Sequence, residues 1–125
     1  MKKIINTEKA PKVIGPYSQA VEANGTLYIS GQLPINPQTG SFVEGGVKEQ
    51  TEQVLKNIGA ILETAGYTFD NVVKSTVLLQ SIDDFVAMNE VYGSYYKTAA
   101  PARVAYQVAK LPTGALVEIE TIAVK

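Results

Sequence analysis

Val72-Val73-Lys74-Ser75-Thr76-Val77-Leu78-Leu79 is a β-branched and mostly apolar run, the composition of a strand inside a sheet and covered on both faces. Helical patterns flank it. Upstream, Val47, Val54, Leu55, Ile58, Ile61, Leu62 and Ala65 fall on one helical face, with Gly66 placed to end the helix in the left-handed conformation. Downstream, Ser81 or Asp83 can cap a second helix in which Phe85, Met88, Tyr92 and Tyr95 recur every three or four residues, before Pro101 forces extended backbone on the residue preceding it.

Further out, residues 19–23 and 26–30 read as strands joined by Asn24-Gly25, a two-residue turn suited to positive φ. Pro34, Pro37, Gly40, Gly45 and Gly46 punctuate a loop over 33–46, with a short strand near Phe42. Two last strands, about 103–109 and 116–124, are separated by Pro112 and Gly114. The order is hairpin, loop, helix, strand, helix, strand, strand: an α+β chain with right-handed crossovers and both helices on one face of a single mixed sheet. The chain has too few elements to cover the other face, so a homo-oligomer in which those faces meet is expected.

At 125 residues the chain is sized for a single domain over residues 1–125 that buries about two-thirds of its unfolded surface. Hydrophobic residues make up 46% and charged residues 18%, a globular composition without an apolar stretch that would span a bilayer. After Lys2-Lys3 the chain meets Asn6, Thr7, Glu8 and Lys9 where an export signal needs apolar residues, so a cytoplasmic protein is expected. The net charge is −1 and the eleven Lys and Arg are scattered, so no nucleic-acid partner is expected. There is no Cys and no His. Disulfides, thiolate nucleophiles and the usual general base are excluded, leaving acid-base chemistry to Asp, Glu, Tyr, Lys, backbone groups or water.

Gly45-Gly46 precedes a helix but belongs to no phosphate-binding motif, and Tyr92, Tyr95 and Tyr96 at helical spacing read as packing. In Leu116-Val117-Glu118-Ile119-Glu120-Thr121-Ile122 two carboxylates share one face of an otherwise apolar strand, about 7 Å apart by strand rise. They are either a solvated or ion-paired edge, or a general base whose pKa is raised by partial burial. Arg103 alternates with Ala105 and Gln107 along its strand, while Val104, Tyr106 and Val108 face the other way. Its guanidinium fork suits a small carboxylate or a structural ion pair, for instance with Glu118, and the strand pattern alone does not separate the two.

Several blocks carry a resemblance over almost the whole chain: Gly15-Pro16-Tyr17-Ser18-Gln19, Ser30-Gly31-Gln32-Leu33-Pro34, Asn89-Glu90-Val91-Tyr92, Pro101-Ala102-Arg103, Ala109-Lys110-Leu111-Pro112 and Glu118-Ile119-Glu120. Their order and spacing are similar to those of the RidA family (YjgF/YER057c/UK114), the reactive-intermediate imine and enamine deaminases. The resemblance implies a chorismate-mutase-like α+β fold assembled as a homotrimer, with ligand sites between subunits. It also implies hydrolysis of 2-imino and 2-enamino acids to 2-keto acids and ammonia, with no cofactor or metal. By the same resemblance, Arg103 holds the substrate carboxylate and Glu118 activates the attacking water. Tyr17, Ser30, Gly31 and Asn89 line the pocket, and backbone groups around Ser30, Gly31 and Ala105 complete it. Many members have Ser-Cys where this chain has Val104-Ala105, which keeps open a non-catalytic role in binding 2-keto acids. Ribonuclease activity, also attributed to relatives, is opposed by the lack of His and of a basic groove.

Overall fold

The computed structural model describes residues 1–125. The β-branched run Val72–Leu79 forms strand β6 with the expected bounds. The remaining strands are β1 (Lys3–Ile5), β2 (Ala20–Ala23), β3 (Thr26–Gln32), β4 (Ile35–Asn36), β5 (Ser41–Phe42), β7 (Ala102–Gln107) and β8 (Val117–Val124). The helices are α1 (Val47–Ala65) and α2 (Phe85–Tyr95). The main sheet has the order β1-β2-β3-β8-β6-β7, and β4 and β5 form a separate pair. Only β6 and β7 run parallel, joined through α2; the other neighbours are antiparallel. This is the mixed α+β architecture expected. No helix is long and apolar enough to cross a membrane.

Local chemistry accounts for the element ends. Asn24 and Gly25 take φ of 52° and 75°, the paired positive values that suit a tight hairpin between twisted strands. Helix α1 ends where Gly66 turns left-handed at φ 84° and its N–H donates to the Glu63 carbonyl. Ser81, not Asp83, holds the start of the second helical segment: its Oγ accepts from the Asp83 N–H at 3.2 Å, and a 3-10 turn leads into α2.

One face of the sheet carries the core. Leu27 and Ile29 of β3, Val117 and Ile119 of β8, and Val77 and Leu79 of β6 are buried, and the strand registers put them on the same side. Val54, Leu55, Ile58, Ile61 and Leu62 of α1 join them in the core cluster, each contributing about 1.5–3 kcal/mol by burial. Buried polar groups fasten loops to this frame. Asn57 Nδ2 donates to the carbonyls of Leu33 (3.2 Å) and Ile35 (2.9 Å), and the Leu116 N–H donates to Gln50 Oε1 at 2.8 Å.

The opposite face is bare. Ile4, Val21, Tyr28, Ile122, Leu78, Val104 and Tyr106 lie on it, and Ile4, Tyr28, Val104 and Tyr106 are exposed. Burial of β6 on both faces is therefore not met within one chain, because no second layer lies against this side. Strand β1 was not anticipated, and β7 stops at Gln107 rather than 109.

Ile58→Ala should lower unfolding free energy by about 2–5 kcal/mol, read as a lower urea midpoint at unchanged slope. Val86→Ala, at an exposed position of α2, should shift it by less than about 0.5 kcal/mol.

Candidate functional site

Glu118 stands on the bare face opposite Leu78, with Glu120 opposite Thr76 on the same side. Beside them the pairing of β3 with β8 is irregular between Ile29 and Gln32, a bulge that carries Ser30 and Gly31 past the acid. The Glu118 carboxylate lies across Gly31: a Cβ there would fall 2.2 Å from Glu118 Oε2 and 3.1 Å from its Cδ. Only glycine leaves this space. Burial, and secondarily the charge of Glu120, push the half-buried Glu118 carboxyl above its ordinary 4.5.

Ser30 ties a loop to this spot. Its Oγ donates to the Ser18 carbonyl at 2.6 Å and its N–H to the Gln19 carbonyl at 3.0 Å. Both Ser30 donors are thus used within the chain. The residue shapes the wall, and its own two donors are not free for a ligand. Gln19 is itself buried, accepting from the Thr7 N–H at 2.7 Å and donating to the Pro11 carbonyl at 2.9 Å. Tyr17, half exposed on this tethered loop, shares a small cleft of about 60 Å³ with Ile14, Gly31 and Leu33.

Arg103 is elsewhere. It pairs with Ser75 across β6 and β7, and Ser75 lies on the buried face opposite Thr121; Arg103 therefore points to the α2 side. Nη1 donates to Asn89 Oδ1 at 2.8 Å. The guanidinium carbon sits 4.8 Å from the Tyr92 ring centroid and 5.5 Å from that of Phe85. Asn89, Tyr92, Tyr96, Pro101 and Arg103 line an open hollow of about 440 Å³. Ala105 lies on this same side, opposite Val77 and against the core.

The expected residues thus fall into two groups. Tyr17, Ser30, Gly31 and Glu118 gather at the bulge of β3; Arg103, Asn89 and Ala105 gather between β7 and α2. Strand β6 separates β7 from β8, and Arg103 is level with Ser75 while Glu118 is level with Leu78, so their backbones are roughly 14 Å apart by strand spacing and rise, with the side chains on opposite faces. The ion pair of Arg103 with Glu118 is not formed; the salt bridge in the structure joins Lys48 and Glu90. Tyr92, which reads as packing from its spacing, also contacts Arg103; spacing places Asn89 and Tyr92 on one side of α2, but no segment of the sequence signals the contact with the strand. No group of three or more His, Cys, Asp or Glu is arranged to hold a metal ion.

Two outcomes follow from the bulge. Gly31→Ala should displace the Glu118 carboxylate, the movable end of a half-buried side chain, at a cost to the fold below about 1 kcal/mol, measurable by thermal melts. Because the folded-state pKa of Glu118 is raised, the fold favours its protonated form; that contribution is present below the ordinary value and lost as pH rises through the folded pKa. Glu118→Gln should therefore be more stable than the parent near pH 7, with the difference vanishing by about pH 4.

Residues 7–125 match the family model described as Endoribonuclease L-PSP. The 2-iminobutanoate/2-iminopropanoate deaminase of Mus musculus is 55% identical over 125 residues, covering all of this chain and 93% of that protein. The crystal structure of YyfA, of the Rid protein family, from Yersinia pestis superposes with a TM-score of 0.97 at 52% identity, covering both chains completely. That of E. coli TdcF with bound serine gives 0.93 at 40% identity over 98% of each chain.

Proposed function

The chain belongs to the RidA family, that of the endoribonuclease L-PSP model, and from that premise we propose that it is a hydrolytic deaminase of 2-imino and 2-enamino acids. Its products are 2-keto acids and ammonia. Full-length identity to relatives named 2-iminobutanoate/2-iminopropanoate deaminase carries this reading. The substrates are 2-aminoacrylate, 2-iminobutanoate and similar small carboxylates.

The active unit is a homotrimer with its sites between subunits. Two features support this. The bare sheet face presents apolar side chains that a second copy can cover. Arg103 and Glu118, both needed for the chemistry, point away from each other in one chain, so a pocket holding both takes Arg103 from one subunit and Glu118 from its neighbour.

In such a pocket the Arg103 fork binds the substrate carboxylate and fixes the C=N carbon beside a water molecule held by Glu118. Glu118 takes a proton from the water as its oxygen bonds to that carbon and passes the same proton to the imine nitrogen, which becomes an amine and leaves the carboxylate free again. The tetrahedral carbinolamine then collapses: its hydroxyl proton passes through the carboxylate to the nitrogen, the C–N bond breaks, and ammonia leaves the 2-keto acid. The carboxyl's raised pKa suits both proton transfers. No covalent enzyme intermediate forms, so Ala105 in place of a thiol leaves this route intact.

The test is a coupled assay in which a serine or threonine dehydratase releases the imine and keto-acid formation is followed against semicarbazide trapping. Acceleration is expected, with kcat/KM lowered about tenfold to a hundredfold in Arg103→Ala. No acceleration, or an undiminished rate in Arg103→Ala, would sink the proposal. The acid limb of kcat/KM should shift downward in Glu120→Gln, since the Glu120 charge raises the Glu118 carboxyl. Keto-acid binding without turnover would select the non-catalytic reading.

A further inference from the structure

Phe85, Asn89 and Tyr92 recur at spacings of four and three residues, which sets them along one side of α2, and Tyr96 follows just past its C-terminal end. Three of the four touch Arg103: Asn89 by a hydrogen bond of 2.8 Å, Tyr92 and Phe85 by their rings. Tyr92 is 5% exposed, so its ring is fixed by packing, and it lies against the Tyr96 ring at 4.7 Å. The Tyr92 hydroxyl is buried near Ser75 without forming a hydrogen bond of proper geometry. The residue's place in the fold thus rests on its ring, not on its oxygen. Arg103 has no carboxylate partner, and it is the only arginine in the chain.

We propose that Tyr92, with Asn89, is a positioning residue for the carboxylate-binding arginine, acting as a clamp that leaves the guanidinium one direction in which to receive a ligand. The inference rests on the deaminase reading for the identity of the ligand. A free arginine side chain loses rotamer entropy whenever it grips a carboxylate. Here Asn89 engages one Nη and the aromatic rings shield the guanidinium, so the unengaged N–H groups in its plane remain for an incoming carboxylate. Cation–π attraction of this kind is strongest where water is excluded, as at the Tyr92 ring. Neither Tyr92 nor Asn89 needs to touch the reacting atoms. Both act through Arg103.

Two readouts on the full-length protein decide the matter. The first is the dissociation constant for 2-ketobutyrate by calorimetry. The second is the NMR signal of the single guanidinium, whose protons the nearby Tyr92 ring should shift upfield and whose Nη groups should rotate slowly. Tyr92→Leu should raise the dissociation constant about tenfold and move the arginine resonances to freely rotating values. Tyr92→Phe should keep both readouts near the parent, since the hydroxyl forms no hydrogen bond of proper geometry. Asn89→Ala, at a half-exposed position, should weaken binding about tenfold and serves if Tyr92→Leu does not fold. In kinetics the clamp variants should raise KM more than they lower kcat.

A folded Tyr92→Leu with unchanged resonances and unchanged affinity would overturn the clamp, as would Tyr92→Phe losing as much as Tyr92→Leu. Failure of the parent protein to bind any 2-keto acid would overturn the deaminase reading instead. The guanidinium resonances would still show whether Tyr92 holds Arg103.

Discussion

A β-strand shows alternate side chains to opposite faces, and in a hydrogen-bonded sheet that alternation is shared by every neighbour. The arrangement of this chain depends on it. Ser75, Val77 and Leu79 of β6 are committed to the core under α1 and α2, so every residue in register with them faces the helices. Arg103, opposite Ser75, is among these. Glu118, opposite Leu78, is not. A one-residue slip of β8 would turn Val117, Ile119, Thr121 and Ala123 outward, so the core that stabilises the fold also keeps the acid on the face away from the arginine. The bare face and the divided site are two consequences of one register.

The division makes sense of details on either side. On the open face, Gly31 lets the Glu118 carboxylate lie against β3, where partial burial raises its pKa. Ser30 and Gln19 secure the loop that brings Tyr17 there. On the helix face, Arg103 sits at the edge strand of the sheet, turned toward α2 and beside an open hollow. With no His and no Cys in the chain, a carboxylate with a raised pKa and an oriented guanidinium are the tools suited to hydrolysis.

Much of this was legible in the sequence because it is locally encoded. Helix α1 and strand β6 have the expected bounds, since Val54 to Leu62 repeat at helical spacing and Gly66 ends the helix by its own conformational freedom. The Asn24-Gly25 hairpin is likewise written in two residues. Strand β1 escaped because Lys3, Ile4 and Ile5 have no period of their own and become a strand only by pairing with Ala20, Val21 and Glu22. Arg103 and Glu118 were found as residues, yet their opposition depends on the register of β6 with two neighbours at once, which no single segment specifies. The contact between Tyr92 and Arg103 joins a helix to a strand and is visible only after folding. Ser30 was identified with the site, but its bonds to Ser18 and Gln19 make it a tether.

The measurement that bears most directly on the divided site is complementation between two impaired variants, Arg103→Ala and Glu118→Gln, assayed for imine hydrolysis alone and after co-expression. If each pocket draws Arg103 from one subunit and Glu118 from the next, mixed oligomers contain pockets with both native residues, and about a quarter of the parent activity should return. If both residues serve a pocket within one subunit, every pocket carries one defect. The co-expressed mixture would then stay as impaired as the separate variants, contradicting the account.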